Sequence, residues 1–256
     1  NGTAAPSYQA APPSANIAGG NPGNIPFQVS TGVTSFVAGL VGQYLTSNGG
    51  GTPIFKTLLA PTWQAFSTGS GTYTSPAGCV SIVVEICGGG GGGGRNSNSF
   101  SAGGGGGAAY AKLFYPAGTY SYQVGNGGAA QPTDGANGND GANSIFASRT
   151  LGGGGGGLIN GTGGFGGSVG GSGGVVLLGI NGGEGGYLNA ALTRTTRGGT
   201  SFWANTQPDN SVSGQSFDGQ GLGCGGSGSN ASGSGLPLGR GGAGTAGRLI
   251  VQEFYS

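Results

Sequence analysis

The sequence predicts an all-β protein, a small antiparallel β-sandwich carrying packed polyglycine II helical loops. Three observations point there. The strongest strand signal, Cys79-Val80-Ser81-Ile82-Val83-Val84-Glu85-Ile86-Cys87, places Val80, Ile82, Val84 and Ile86 on one apolar face, as a half-buried strand requires. The closing run, Arg248-Leu249-Ile250-Val251-Gln252-Glu253-Phe254-Tyr255, is apolar and β-prone enough to lie beside it. Finally, 68 of 256 residues are glycine, gathered into runs such as Gly88 to Gly94, Gly103 to Gly107 and Gly152 to Gly157.

Fixing glycine opposes folding by roughly 1 to 2 kcal/mol of backbone entropy per residue, which solvated loops could not offset. Extended helices with three residues per turn could, because without Cβ their backbones touch and hydrogen-bond side by side. A partial three-residue rhythm agrees: Asn181, Glu184 and Tyr187 are separated by glycine pairs, as are Phe165 and Ser168. Collagen is excluded, since its repeat is strict over long stretches and proline-rich.

Three regions follow in order. Residues 1–16, with Pro6, Pro12 and Pro13, read as a Pro/Ala-rich arm or linker, and the chain opens at Asn1 as a processed or trimmed protein would. Residues 17–66 hold short apolar pieces around Ile25 to Val29, Phe36 to Val37 and Gln43 to Thr46, each too short to bury a core alone, so the region is expected to pair with copies of itself. Residues 67–256 form the glycine-rich β domain. There Thr72 to Thr74 leads through Ser75-Pro76-Ala77-Gly78 into the main strand, and further strands are expected at Ala109 to Phe114, Thr119 to Val124 and Asn143 to Ala147, with the glycine excursions leaving from one end.

Composition excludes several functions. The chain is 34% hydrophobic and 6% charged, with net charge +1 and no histidine, so it carries no basic nucleic-acid footprint. Without histidine there is no Ser/His/Asp or Cys/His nucleophile arrangement and no ordinary zinc site; Lys56 and Lys112 do not close a phosphate-binding loop. No enzyme activity and no cofactor are expected. Asp134-Gly135-Ala136-Asn137-Gly138-Asn139-Asp140 lacks the spacing and terminal Glu of a calcium loop and reads as a solvated turn. Glu85 and Glu253 fall on facing strands as a carboxylate pair, as solvated groups or as partners of Arg248. Two readings of the cysteines stay open: buried thiols, or a disulfide of Cys224 with Cys79 or Cys87.

The candidate binding residues are Arg194, Arg197, Phe202 and Trp203, which join two guanidinium groups and two rings within ten residues, followed by Phe165 and Tyr187 on the period-three stretches. Sugar faces stack on aromatic rings and anionic glycans attract guanidinium groups. The alternative is that Phe202 and Trp203 anchor their loop to the sandwich or to a neighbouring subunit.

The zone from Ala18-Gly19-Gly20-Asn21-Pro22-Gly23 to Gln43-Tyr44-Leu45-Thr46-Ser47-Asn48-Gly49 resembles the short shaft repeats of bacteriophage and other viral tail fibres. The block Gly71 to Gly78, followed by Ser81 to Glu85, polyglycine and the closing Gly247 to Gln252, resembles the glycine-rich terminal domain of such fibres. The resemblance implies an extracellular homo-oligomeric fibre tip, usually a trimer, on a virion or cell surface, that binds a host surface glycan or outer-membrane protein without inserting into the membrane. A self-assembling subunit of an extracellular filament or sheath is the alternative.

Overall fold

The computed structural model describes residues 21–31, 33–96, 102–190, 193–204, 216–229 and 240–256. The expected arm at 1–16 lies outside them. The chain divides into two units, Asn1–Leu59 and Ala60–Ser256.

In the first unit β1 (Ile25–Ser30) pairs antiparallel with β2 (Val33–Val37), and β3 (Gln43–Thr46) with β4 (Ile54–Thr57), as separate two-stranded sheets. None of its described residues is buried, and Val29, Leu40, Val41, Leu58 and Leu59 are exposed. An isolated two-stranded hairpin is marginal in water, and the described residues of this unit build no core of their own.

The second unit begins with β5 (Thr62–Phe66), β6 (Ser70–Thr74) and β7 (Cys79–Cys87), and continues with β8 (Tyr110–Pro116), β9 (Thr119–Gln123), β10 (Ser144–Phe146) and β11 (Arg149–Leu151). It closes with β12 (Val169–Gly171), β13 (Val175–Ile180), the hairpin β14 (Gly186–Ala190) and β15 (Thr193–Arg197), and β16 (Arg248–Tyr255). Two five-stranded antiparallel sheets result, ordered β12-β11-β10-β9-β6 and β13-β8-β7-β16-β5. β5 falls within the 17–66 region of the sequence yet hydrogen-bonds to β16 through Leu249↔Phe66 to Glu253↔Thr62.

The sheets share one core. Ile82, Val84, Ile86, Leu113, Leu249 and Val251 face Tyr73, Phe146 and Leu151, and the rings of Phe66 and Tyr122 meet across the gap at 4.4 Å. Alternation on β7 and β16 produces this face. Val80, expected on it, is 48% exposed instead. The register of β16 against β7 shifts between Phe254↔Ser81 and Tyr255↔Cys79, so Val80, at one end of the sandwich, is the extra residue of a bulge that turns it outward while Cys79 packs against the core.

All the glycine excursions leave from the opposite end, where Cys87 faces Tyr110 and Arg248, and Ser144 faces Leu151. β7 runs directly into residues 88–94, and residues 102–109 return into β8. Down 88–94 the amide donors rotate among three neighbours with a period of three. Gly88, Gly91 and Gly94 donate to Ala109, Gly106 and Gly103; Gly89 and Gly92 to Ala142 and Asn139; Gly90 and Gly93 to Thr245 and Gly242, at 2.8–3.1 Å. Its carbonyls accept from three other segments: Gly89 and Gly92 from Gly154 and Gly157, Gly90 from Gly128, Gly91 and Gly94 from Gly226 and Ser229. The helix is thus ringed by six others.

Residues 102–109 are surrounded in the same way, by 88–94, 152–158, 223–229, 162–168, 181–185 and 198–200. The three-residue period is that of a polyproline II type helix, and each N–H from Gly88 to Gly94 finds a carbonyl, as buried backbone must. Glycine is required by close approach. A Cβ built on Gly90 would stand 2.0 Å from the Cys224 carbonyl oxygen, and one on Gly154 1.9 Å from that of Gly106.

Candidate functional site

The interior of the helix bundle is mostly glycine backbone, with a few small buried side chains such as Ala102, Ser227 and Ser229, so larger side chains stand at its outward positions, its roots at the sandwich and the segments between helices. One outward row has a structural task. Asn143, Asp140 and Asn137, three residues apart on 136–143, accept hydrogen bonds through Oδ1 from the N–H groups of Gly153, Gly156 and Ile159 at 2.9, 2.7 and 3.0 Å. These N–H groups lie on the outer side of 152–158, where side chains complete the lattice in place of a further helix. Asp134 instead pairs with Arg95 Nε at 2.6 Å. In the Asp134 to Asp140 stretch, which forms an exposed turn, both acids also tie helix ends and edges. No cluster suited to a metal ion occurs among the described residues.

At the root of 102–109, Tyr110 organises the aromatic candidates. Phe202 stacks on its ring with centroids 4.1 Å apart and planes at 16°, and Trp203 meets it edge-on at 5.0 Å. Tyr110 is buried and donates its hydroxyl to Glu85 Oε2 at 3.0 Å. Burial first, then the Glu85 carboxylate, pushes this phenol well above its ordinary range. Glu85 also pairs with Lys112 Nζ at 3.0 Å. Phe202 and Trp203 thus anchor their loop to the sandwich, although Phe202 stays 48% exposed.

Arg197 stands elsewhere. Its carbonyl lies against Gly104, six residues up the helix from Tyr110, or roughly 19 Å at the rise of such a helix. The extended backbone therefore separates the Arg197 backbone from the ring pair. Arg194 and Tyr187 lie opposite Asn189 and Thr196 in the β14–β15 ladder, and their side chains are outside the described part. Phe165 projects from 162–168 and is 72% exposed, while its carbonyl accepts from the Gly155 N–H at 2.8 Å.

The two acids do fall on facing strands, β7 and β16, but not opposite one another. Glu85 stands opposite Ile250 and Glu253 opposite Ile82. Glu253 shares the inward parity of Leu249 and Val251 and is 1% exposed, neither solvated nor paired with Arg248. Its carboxylate accepts from Gln64 Nε2 at 2.6 Å, Tyr73 OH at 2.9 Å, Tyr255 OH at 3.2 Å and the Thr62 hydroxyl. Burial pushes this carboxyl up, but the hydrogen bonds from Thr62, Tyr73, Gln64 and Tyr255 outweigh it and hold the group below its ordinary value. The Tyr73 contact bridges the two sheets. Sequence reasoning missed this cluster, whose one signal was an acid at inward parity on an otherwise apolar strand.

All three cysteines are thiols in the structure. Cys87 and Cys224 are both buried at the bundle root, where Cys87 Sγ lies 3.4 Å from a Cβ built on Gly223. Burial, and secondarily the neighbouring Cys224, pushes the Cys87 thiol up to about 12. Cys79 sits at the other end of β7, opposite Tyr255, so Cys87 is the thiol that the fold places beside Cys224.

A β-sandwich whose strands open into a lattice of glycine helices defines a class. A family model described as a glycine-rich domain matches residues 65–252, most of the chain, and the chain belongs to that family. No match to a curated protein was found.

Proposed function

We propose that this protein is a non-enzymatic attachment protein at the tip of a viral or phage fibre, acting outside the cell as a homo-oligomer on a host surface glycan or outer-membrane protein. The observation that carries the reading is the division of labour in the second unit. A hydrogen-bonded backbone lattice stands out from one end of the sandwich and confines variable chemistry to its outer positions. Such a scaffold suits recognition, because the display surface can change without disturbing the interior.

Residues 21–59 support association of copies, since their two hairpins expose apolar side chains on both faces and bury none of their described residues. Phe165, exposed among glycines, is the clearest described ring for stacking on a sugar. The test is adhesion of purified, labelled protein to a panel of cells and arrayed glycans. Saturable binding to a subset, competed by unlabelled protein, is expected; no binding across a broad panel would overturn the reading. The exposed apolar surface equally favours a second reading, a self-assembling subunit of an extracellular filament or sheath. Discrete oligomers under the electron microscope support the tip, and long homopolymers support the filament.

A further inference from the structure

We infer that β13 is a self-association surface, through which two copies of this chain pair edge to edge about a two-fold axis and join their sheets into one. β13 is an outer strand of the sheet β13-β8-β7-β16-β5, bonded on one side to β8 alone. Val175, Val176, Leu177, Leu178 and Ile180 are all exposed, between 36% and 60%, and Phe114, opposite Val175 on β8, extends the patch. Natural edge strands are blunted by charge, proline, brevity or bulges. This one has six residues with neither charge nor proline, and its one irregularity, between Val176 and Leu178, leaves apolar side chains exposed on both sides of it.

The surroundings specify the occupant. Of the nearby charges, Lys112 and Glu85 neutralise each other at 3.0 Å and Arg149 is engaged with the Gly171 and Gly173 carbonyls before the strand starts, so along β13 itself the patch neither attracts a charged partner nor repels its own copy. Direction decides the symmetry. Every ladder in the sheet is antiparallel, so β13 and the other edge strand, β5, run the same way. Head-to-tail stacking would set β5 parallel to β13, whereas a two-fold axis sets β13 antiparallel to its own copy, continuing the existing pattern. One strand edge buries less than the roughly 800 Å² per partner of a stable dimer, so the pairing is concentration-dependent.

Sedimentation velocity of the full chain from micromolar to sub-millimolar concentration tests this. The weight-average mass is expected to rise with concentration from its low-concentration value. The double variant Val175→Lys/Leu177→Lys is expected to abolish the rise with an unchanged circular dichroism spectrum. Should it misfold, Val175→Thr/Leu177→Thr keeps strand propensity and is expected to weaken pairing at least tenfold. A constant mass, or folded variants that associate like the parent, would each overturn the inference.

Discussion

Gly90→Ala places a methyl carbon where the backbone of residue 224 already stands. The new Cβ would lie 2.0 Å from the Cys224 carbonyl oxygen and 2.2 Å from its carbon. Ordinary contact begins near 3.4 Å, so the helices must separate by 3.4 − 2.0 = 1.4 Å. Gly90 donates to Thr245 and accepts from Gly128, both at 2.8 Å, and a shift of that size breaks both bonds. Overpacking costs about 1–3 kcal/mol and each lost hydrogen bond about 1 kcal/mol, so roughly 3–5 kcal/mol is expected. That is a large share of the roughly 5–15 kcal/mol that holds a domain folded. Gly170→Ala is the matched control, since its Cβ would meet nothing nearer than the Thr150 carbonyl at 3.8 Å. There the lower entropy of the unfolded chain should stabilise the protein by about 0.4–1 kcal/mol. Guanidinium unfolding of parent and variants measures both, with opposite signs expected. If the two shift alike, or Gly90→Ala stays within about 0.5 kcal/mol of the parent, the packed-helix account of the glycine runs is refuted.

Three further outcomes are expected. Because the Glu253 carboxyl is held below its unfolded value, its contribution is present above the ordinary carboxylate range and disappears as pH falls through the lower folded value; Glu253→Gln should flatten the acid limb of a melting-temperature profile, and an unchanged limb would count against the cluster. Asp140→Ala should speed hydrogen exchange at the Gly156 amide and cost about 1 kcal/mol, with Asp140→Asn restoring protection, because only an Oδ1 acceptor is needed. Trp203→Ala should lower the melting temperature by loosening the contact with Tyr110, whereas Phe165→Ala should weaken attachment without moving it; the reverse pattern would exchange their roles.

The sequence alone determined the all-β class and part of the strand framework, but not β5 or β11 to β15. Alternation marked β7, because a strand sends successive side chains to opposite faces, and apolar, β-prone composition marked β16. The glycine runs announced packed three-fold helices, since no other arrangement of so much glycine recovers its ordering entropy. Their partners were not legible. Each glycine in 88–94 is chemically identical to the next, so nothing in the run states that Gly90 meets Thr245 while Gly91 meets Gly106. Register is imposed from outside, by the strands that launch each helix and by rows such as Asn137, Asp140 and Asn143. The candidate site divided in the same way. Phe202 and Trp203 were visible as rings, but their stacking on Tyr110, far from Arg197, follows from the rise of an extended helix. Composition told which residues could pack without side chains; only the three-dimensional lattice decided which backbone each would touch, because hydrogen bonds between identical glycines carry no sequence information.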